Sequence, residues 1–251
     1  MNPDIKSEED IAKMRESGHI AGHILARVAS EAKPGVTTQE LNDLAEKLAR
    51  EAGVKPAFLG YDNFPAVLCT SVNETIVHGL PGDEKLHEGD IVGLDFGVIY
   101  EGWYSDTAVT VGVGEISFEA QRLLRVTKKA LRLGIRKAKP GNTVGDIGNT
   151  IQRYAESEGY SVVRELVGHG IGKDLHEEPH VPNYGKRGEG EVLREGMTIA
   201  VEPMLIDGLA DLKLAADRFG YQSPHSKLTA HFEHTIAIKA KGAEVLTEAR
   251  R

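Results

Sequence analysis

The chain has 251 residues, 40% of them hydrophobic, enough to bury one large core or two small ones. Its formal net charge of −8, with no long Lys/Arg cluster, argues against nucleic acid as the main partner, and no apolar run approaches membrane-spanning length. A single cysteine, Cys69, excludes an internal disulfide and a thiolate zinc cage, so any metal must be held by oxygen and imidazole.

MNPDIKSEED carries acids where a signal peptide would have a basic start and an apolar core, which points to a cytoplasmic protein. Ser7-Glu8-Glu9-Asp10 then reads as a capped helix start, and Ile11, Met14, Ala21, Ile24, Leu25 and Val28 recur at helical spacing, predicting a helix to about Ala32. His19 and His23 sit at i and i+4 on it. Without the glutamate of an HExxH site they read as ordinary helix residues.

The segment Ala32 to Val54 is echoed by Ala138 to Tyr160, 106 residues further on. Each has a Pro-Gly turn, a Thr-x-x-acid capping box (Thr37 to Glu40, Thr143 to Asp146), an apolar helical stripe and a closing glycine (Gly53, Gly159). Each also follows another helical segment, the second being Ser117 to Lys137. The expectation is one catalytic domain over 1–251 made of two like halves, roughly 8–115 and 116–251.

Strands fill the rest of each half. Ile91 to Val111 reads as a hairpin turning at Glu101-Gly102, with Val92, Leu94, Phe96 and Val98 facing a core. In that register Asp95 opposes Ala108, and Asp106 lies diagonally across on the same small-residue face. Diagonal neighbours are ~7–8 Å apart at the backbone, so the two carboxylates converge and repel unless a positive charge lies between them. Further on, Glu202 in GMTIAVEP shares a face with Ala200 and Thr198, and Glu233 in LTAHFEHTIAI shares one with His231 and Thr235. His234 alternates to the apolar side and reads as a core histidine. Helix runs followed by hairpin strands predict an α+β fold: an antiparallel sheet, helices covering one face and chemistry on the other.

The segments Cys69 to Gly79 and Gly168 to Pro179 read as polar loops, with no serine elbow, phosphate loop or dinucleotide fingerprint. Asp95, Asp106, Glu202 and Glu233 carry four negative charges, which two divalent cations would balance, with His169 adding an imidazole. Taken singly, an acid on a strand is usually a solvated residue; the joint placement on small-residue faces in both halves weighs against that. His169 between glycines reads equally as a ligand or as part of a tight turn. His78 and His176 read equally as surface residues or as proton carriers near a metal-bound water. Cys69 alone reads as a small buried hydrophobe.

LCTSVNETIVHGLP, LDFG followed by YSDT, GHGIG followed by LHEEPHVPNYG, VEPM and FEHT together resemble the motif set of the type I methionine aminopeptidases, from about Ile11 to the end of the chain. The resemblance implies the pita-bread fold: two pseudo-symmetric halves, with a curved sheet carrying helices outside and a metal site inside. It implies that Asp95 chelates one metal, His169 and Glu202 the other, with Asp106 and Glu233 bridging. The metals would be Co, Mn, Fe or Zn. It further implies that His78 and His176 contact the scissile amide and its carbonyl, while Glu202 shuttles the proton from the bridging water. The substrate would be an N-terminal methionine peptide or nascent chain with a small second residue.

By the same resemblance Tyr61 and Cys69 match the wall of the methionine pocket. Phe64 stands where tyrosine is common, and Leu175 where an aromatic is common. Asp211 to His225 aligns poorly, leaving Phe219 or Tyr221 to close the pocket. His231 stands where a glutamine is expected. A proline-directed peptidase of the same fold is the alternative activity; those relatives usually carry an extra amino-terminal domain, for which this chain has no residues. A binding protein that has lost catalysis is a third. A monomer is the default expectation, and transient ribosome association is left open.

Overall fold

In the computed structural model, residues 3–249 are described. Met1–Asn2 and Arg250–Arg251, the ends of the expected 1–251 unit, lie outside the described residues. Helix α1 (Glu8–Ala29) starts as expected: the Ser7 side chain accepts from the Asp10 N–H, and the Asp10 carboxylate accepts from the Ser7 N–H. It stops three residues short of Ala32. The Ser30 hydroxyl donates to the Arg27 carbonyl, and Lys33 precedes Pro34, which disfavours helical backbone.

Helix α2 (Thr38–Glu51) is followed by the short strands β1 (Lys55–Pro56), β2 (Cys69–Val72) and β3 (Thr75–Val77) and by the long hairpin β4 (Ile91–Tyr100) and β5 (Trp103–Gly112). Helices α3 (Phe118–Ile135) and α4 (Val144–Ser157) open the second half. Strands β6 (Ser161–Val162), β7 (Gly168–Gly170), β8 (Glu177–Val181), β9 (Thr198–Val201) and β10 (Met204–Ile206) come next. The chain ends with β11 (Lys213–Leu214), β12 (Tyr221–Gln222), β13 (Thr229–His231), β14 (Glu233–Lys239) and β15 (Gly242–Val245).

Both α2 and α4 begin with reciprocal capping boxes, at Thr37/Glu40 and Thr143/Asp146. The turn before each helix is tied to its own half in the same way. The Gly35 N–H donates to the Leu86 carbonyl at 2.7 Å, and the Gly141 N–H to the Leu193 carbonyl at 3.0 Å.

Among the described residues, nine strands form the main sheet, in the order β1-β4-β5-β14-β9-β7-β8, with β2 on β4 and β15 on β14. The two halves join where β5 pairs with β14. One face of β4 buries Val92, Leu94, Phe96 and Val98 completely against Leu25, Val28 and Leu41 of the first helix pair. Ile199, Val201, Ile236 and Ile238 do the same against Ile147 and Ile151 of the second. Each such side chain contributes about 1.5–3 kcal/mol. Both helix pairs therefore cover one side of the sheet and leave its other side for polar groups.

Two expectations are corrected. Segments read as loops include the strands β2, β3 and β7, and LTAHFEHTIAI is broken at Phe232 into β13 and β14, which belong to different sheets. The β7 strand was concealed by its glycines, which normally weaken a strand. Here they admit neighbouring backbone: a Cβ at Gly168 would collide with the Ala200 carbonyl, and one at Gly170 with that of Glu178.

Candidate active site

The hairpin register is the expected one. Asp95 opposes Ala108 and Gly97 opposes Asp106. Glu101 and Gly102 both have positive φ, 49° and 77°, the backbone a two-residue hairpin turn demands. The row through Asp95 continues across the sheet, Cys69 pairing with Asp95 on one side and Glu233 with Ala108 on the other. Ala108 thus separates two carboxylates with the smallest side chain that keeps a strand ordinary. Asp106 is held by Thr235, whose hydroxyl accepts from the Asp106 N–H at 2.9 Å and donates to its carbonyl at 2.8 Å.

From the second half, His169 projects from β7. Its Nδ1 lies 2.9 Å from the Gly170 carbonyl, which fixes the proton on Nδ1 and leaves Nε2 as the free donor atom of a ligand, 3.6 Å from Oε1 of Glu202. Glu202 follows the end of β9, and its carbonyl accepts from Nδ2 of Asn183 at 2.9 Å. Ligand atoms of Asp106, His169 and Glu233 all lie within 4.8 Å of one another.

These groups are buried and incompletely satisfied. Asp95 Oδ1, Asp106 Oδ1, Glu233 Oε1 and His231 Nε2 have no hydrogen-bond partner. Burial, followed by the neighbouring carboxylates, pushes Asp95 and Glu233 well above the usual carboxylate range. Burial likewise raises Asp106 to about 7 and Glu202 to about 8. It lowers His169 to about 3 and His231 to about 4. Acidic oxygens buried together without donors are costly unless a cation meets them, and the donor set of carboxylates and imidazole suits divalent metals.

Asp95, Asp106, His169, Glu202 and Glu233 open into a cavity of about 840 Å³, together with Tyr61, Phe64, Cys69, His78, Leu175 and His176. The His176 ring stands edge-on to His169, 4.3 Å between centroids, and its Nδ1 is 2.7 Å from the Tyr61 hydroxyl. His78 has a positive φ of 58°, a conformation uncommon outside glycine. It is open to the cavity yet enclosed by protein on most sides, which lowers its pKa to about 4. Phe64 and Phe219 pack edge to face at 5.5 Å, and both line the cavity. Tyr221 meets His78 instead, at 5.9 Å.

His231 stands behind Glu202 and Glu233, its Nε2 3.6 Å from Oε2 of the first and 3.9 Å from Oε2 of the second. His234 bonds through Nδ1 to the Thr247 hydroxyl at 2.8 Å, as a satisfied histidine should. Sequence reasoning missed Asp4 and His180 on the cavity wall, and the buried Lys6 beside Glu177. A lysine before a helix cap gives no signal of burial.

Residues 12–240 match the model of metallopeptidase family M24, so the class is that of the metallopeptidases. The chain is 46% identical over 244 residues to a methionine aminopeptidase of Clostridium acetobutylicum, covering 97% of this chain and 98% of that protein. The crystal structure of the methionine aminopeptidase from Rickettsia prowazekii superposes with a TM-score of 0.97 at 42% identity, covering 98% of this chain and 100% of that one. A prolidase from Pyrococcus horikoshii is more distant: TM-score 0.80, 26% identity, 98% of this chain and 64% of that one. The chain belongs to family M24, among its methionine aminopeptidases, and has their pita-bread fold.

Proposed function

We propose that the chain removes the initiator methionine from polypeptides whose second residue is small, with Asp95, Asp106, His169, Glu202 and Glu233 holding two divalent cations. The observation that carries this reading is the convergence of those side chains, with orphaned buried oxygens, on the floor of a cavity walled by Phe64, Cys69, Leu175 and Phe219. Cations held there would polarise a peptide carbonyl and make water nucleophilic at neutral pH.

The protein groups supply the rest. Glu202 takes a proton from the attacking water and returns it to the leaving amine. His176, its pKa lowered by the protein packed around it, presents Nε2–H to the carbonyl oxygen as it gains charge, because Tyr61 occupies its Nδ1. His78 reaches the scissile amide from the neighbouring wall. Tyr61, Phe64, Cys69 and Leu175 with Phe219 enclose the methionine side chain.

The reading includes one catalytic domain of two like halves, roughly 8–115 and 116–251, acting as a monomer in the cytoplasm. No helix among the described residues is long and apolar enough to cross a membrane. Co, Mn, Fe and Zn all suit the ligand set, and nascent chains bearing an N-terminal methionine are the substrate class it would take.

The test is release of methionine from Met-Ala-Ser, compared with cleavage of Ala-Pro peptides, in protein loaded with each of the four metals and again after chelation. Methionine release that chelation abolishes is expected. Cleavage only before proline would favour a prolidase-type activity, and activity undiminished by chelation would refute the metal assignment.

A further inference from the structure

The loop that carries His176, residues 172–176, is fastened from outside its own half. Its Gly172 carbonyl accepts from the Tyr104 N–H at 2.9 Å, and the Lys173 ammonium stands 3.8 Å from the centre of the Trp103 ring. Oε1 of Glu177 closes the loop by accepting from the backbone N–H groups of Lys173, at 2.7 Å, and Asp174, at 3.2 Å. The other oxygen of Glu177 is paired with the ammonium of Lys6.

Lys6 is an unusual cation. Its side chain is 1% exposed and that of Glu177 13%. Asp4, largely in solvent at 3.4 Å, is the second acid near it. Its backbone N–H donates to the Gly196 carbonyl at 2.8 Å, which seats the segment ahead of α1 across the second half. Gly172 makes room for it, since a Cβ there would collide with the Lys6 chain and lie 2.6 Å from Oε1 of Glu177. A buried lysine is costly unless paired. Glu177 also holds the Lys173 and Asp174 N–H groups, so the pair ties the loop to the segment ahead of α1 as well as neutralising a buried charge.

We infer that Lys6 is a positioning residue for His176: through Glu177 it locks the 172–176 loop, and so sets where the imidazole meets the substrate carbonyl. This rests on the reading of His176 as a catalytic residue. The geometry supports the direction of action. Glu177 is next in sequence to His176 and paired with Gly170, next to His169, so a displaced Glu177 moves the imidazole with it.

The experiment is a double-mutant cycle on the full metal-loaded chain, with Lys6→Met, His176→Ala and the double variant assayed on Met-Ala-Ser. Lys6→Met should lower kcat by about tenfold or more, since small misplacements of a catalytic group are expensive. KM should stay within about twofold. In the His176→Ala background the same change should cost nothing further, because its effect runs through that imidazole. Lys6→Arg should recover most of the lost kcat.

Trp103 is the only tryptophan in the sequence, so its fluorescence reports the loop without any turnover. Lys6→Met should shift its emission and its quenching by acrylamide. If Lys6→Met does not fold, Glu177→Gln takes its place in the cycle, keeping the acceptor for the loop N–H groups while weakening the pair. Equal losses of kcat in both backgrounds, or a lowered melting temperature with unchanged kcat and fluorescence, would overturn the inference. A parent that releases no methionine would instead refute the functional reading, and the fluorescence would still report whether Lys6 holds the loop.

Discussion

The Tyr61 hydroxyl lies 2.7 Å from Nδ1 of His176. When Tyr61 donates in this bond, the single proton of the neutral imidazole sits on Nε2, the nitrogen that the proposed mechanism directs at the substrate carbonyl. Tyr61→Phe removes that control while keeping the ring that packs edge-on to His176 at 5.1 Å. The expected result is a loss of about 1 kcal/mol in kcat/KM, roughly fivefold, carried by kcat. Steady-state kinetics on Met-Ala-Ser checks it, and a purely KM effect would reassign Tyr61 to pocket shape alone.

The metal-free protein should lose stability as pH rises from 6.5 to 8. Asp106 at about 7 and Glu202 at about 8, with Asp95 and Glu233 also raised by burial and neighbouring carboxylates, hold more protons folded than unfolded above the ordinary carboxylate range. Stability therefore falls with rising pH until those folded values are passed. The buried histidines act oppositely. His169 at about 3, and His78, His231 and His234 at about 4, add stability as pH rises from those values, a slope that fades as the unfolded imidazoles finish titrating above 6.5. From pH 6.5 to 8 the carboxylates outweigh the fading histidine slope, so the melting temperature without metal should drop by several degrees, and divalent cation should remove the drop. A melting temperature that climbs over this window would contradict the carboxylate environments described above.

Asp95→Asn and Asp106→Asn separate a chelating from a bridging role. Calorimetric titration should show Asp95→Asn losing one of two binding events, whereas Asp106→Asn should weaken both by at least about tenfold. Without metal the effect on stability reverses: either change removes a carboxylate buried among others, so both variants should melt above the parent at pH 8. Two parent-like binding events in both variants would take the metals away from the hairpin.

The hairpin was legible in the sequence because alternation and a two-residue turn specify register without any distant contact. That register alone set Asp95 and Asp106 on one face. The capping boxes at Thr37 and Thr143 were equally local, and they exposed the repeated helix pairs. Strand β7 was not legible, because its glycines answer to the carbonyls of Ala200 and Glu178, which only the assembled sheet brings near. Lys6 was hidden for the same reason, as its partner Glu177 lies 171 residues away. The row from Cys69 through Asp95 and Ala108 to Glu233 needed the pairing of β5 with β14, a contact between halves that no periodicity announces.

Phe219 should carry part of the preference for methionine. It lies in the stretch where the sequence left Phe219 and Tyr221 as alternatives, and only Phe219 both lines the cavity and packs on Phe64. Tyr221 lies against His78 instead, with 5.9 Å between the ring centroids. An apolar wall acts on ground state and transition state alike, so Phe219→Ala should raise KM for Met-Ala-Ser more than it lowers kcat. Shape discrimination in such a pocket amounts to about 1–3 kcal/mol, and the variant should narrow the gap in kcat/KM between methionyl and leucyl peptides by a comparable factor. Tyr221→Phe, which keeps the ring against His78, should leave that gap unchanged. Competition between the two peptides in one reaction measures the ratio directly. A ratio unmoved by Phe219→Ala would place the wall of the methionine pocket on Phe64, Cys69 and Leu175 alone.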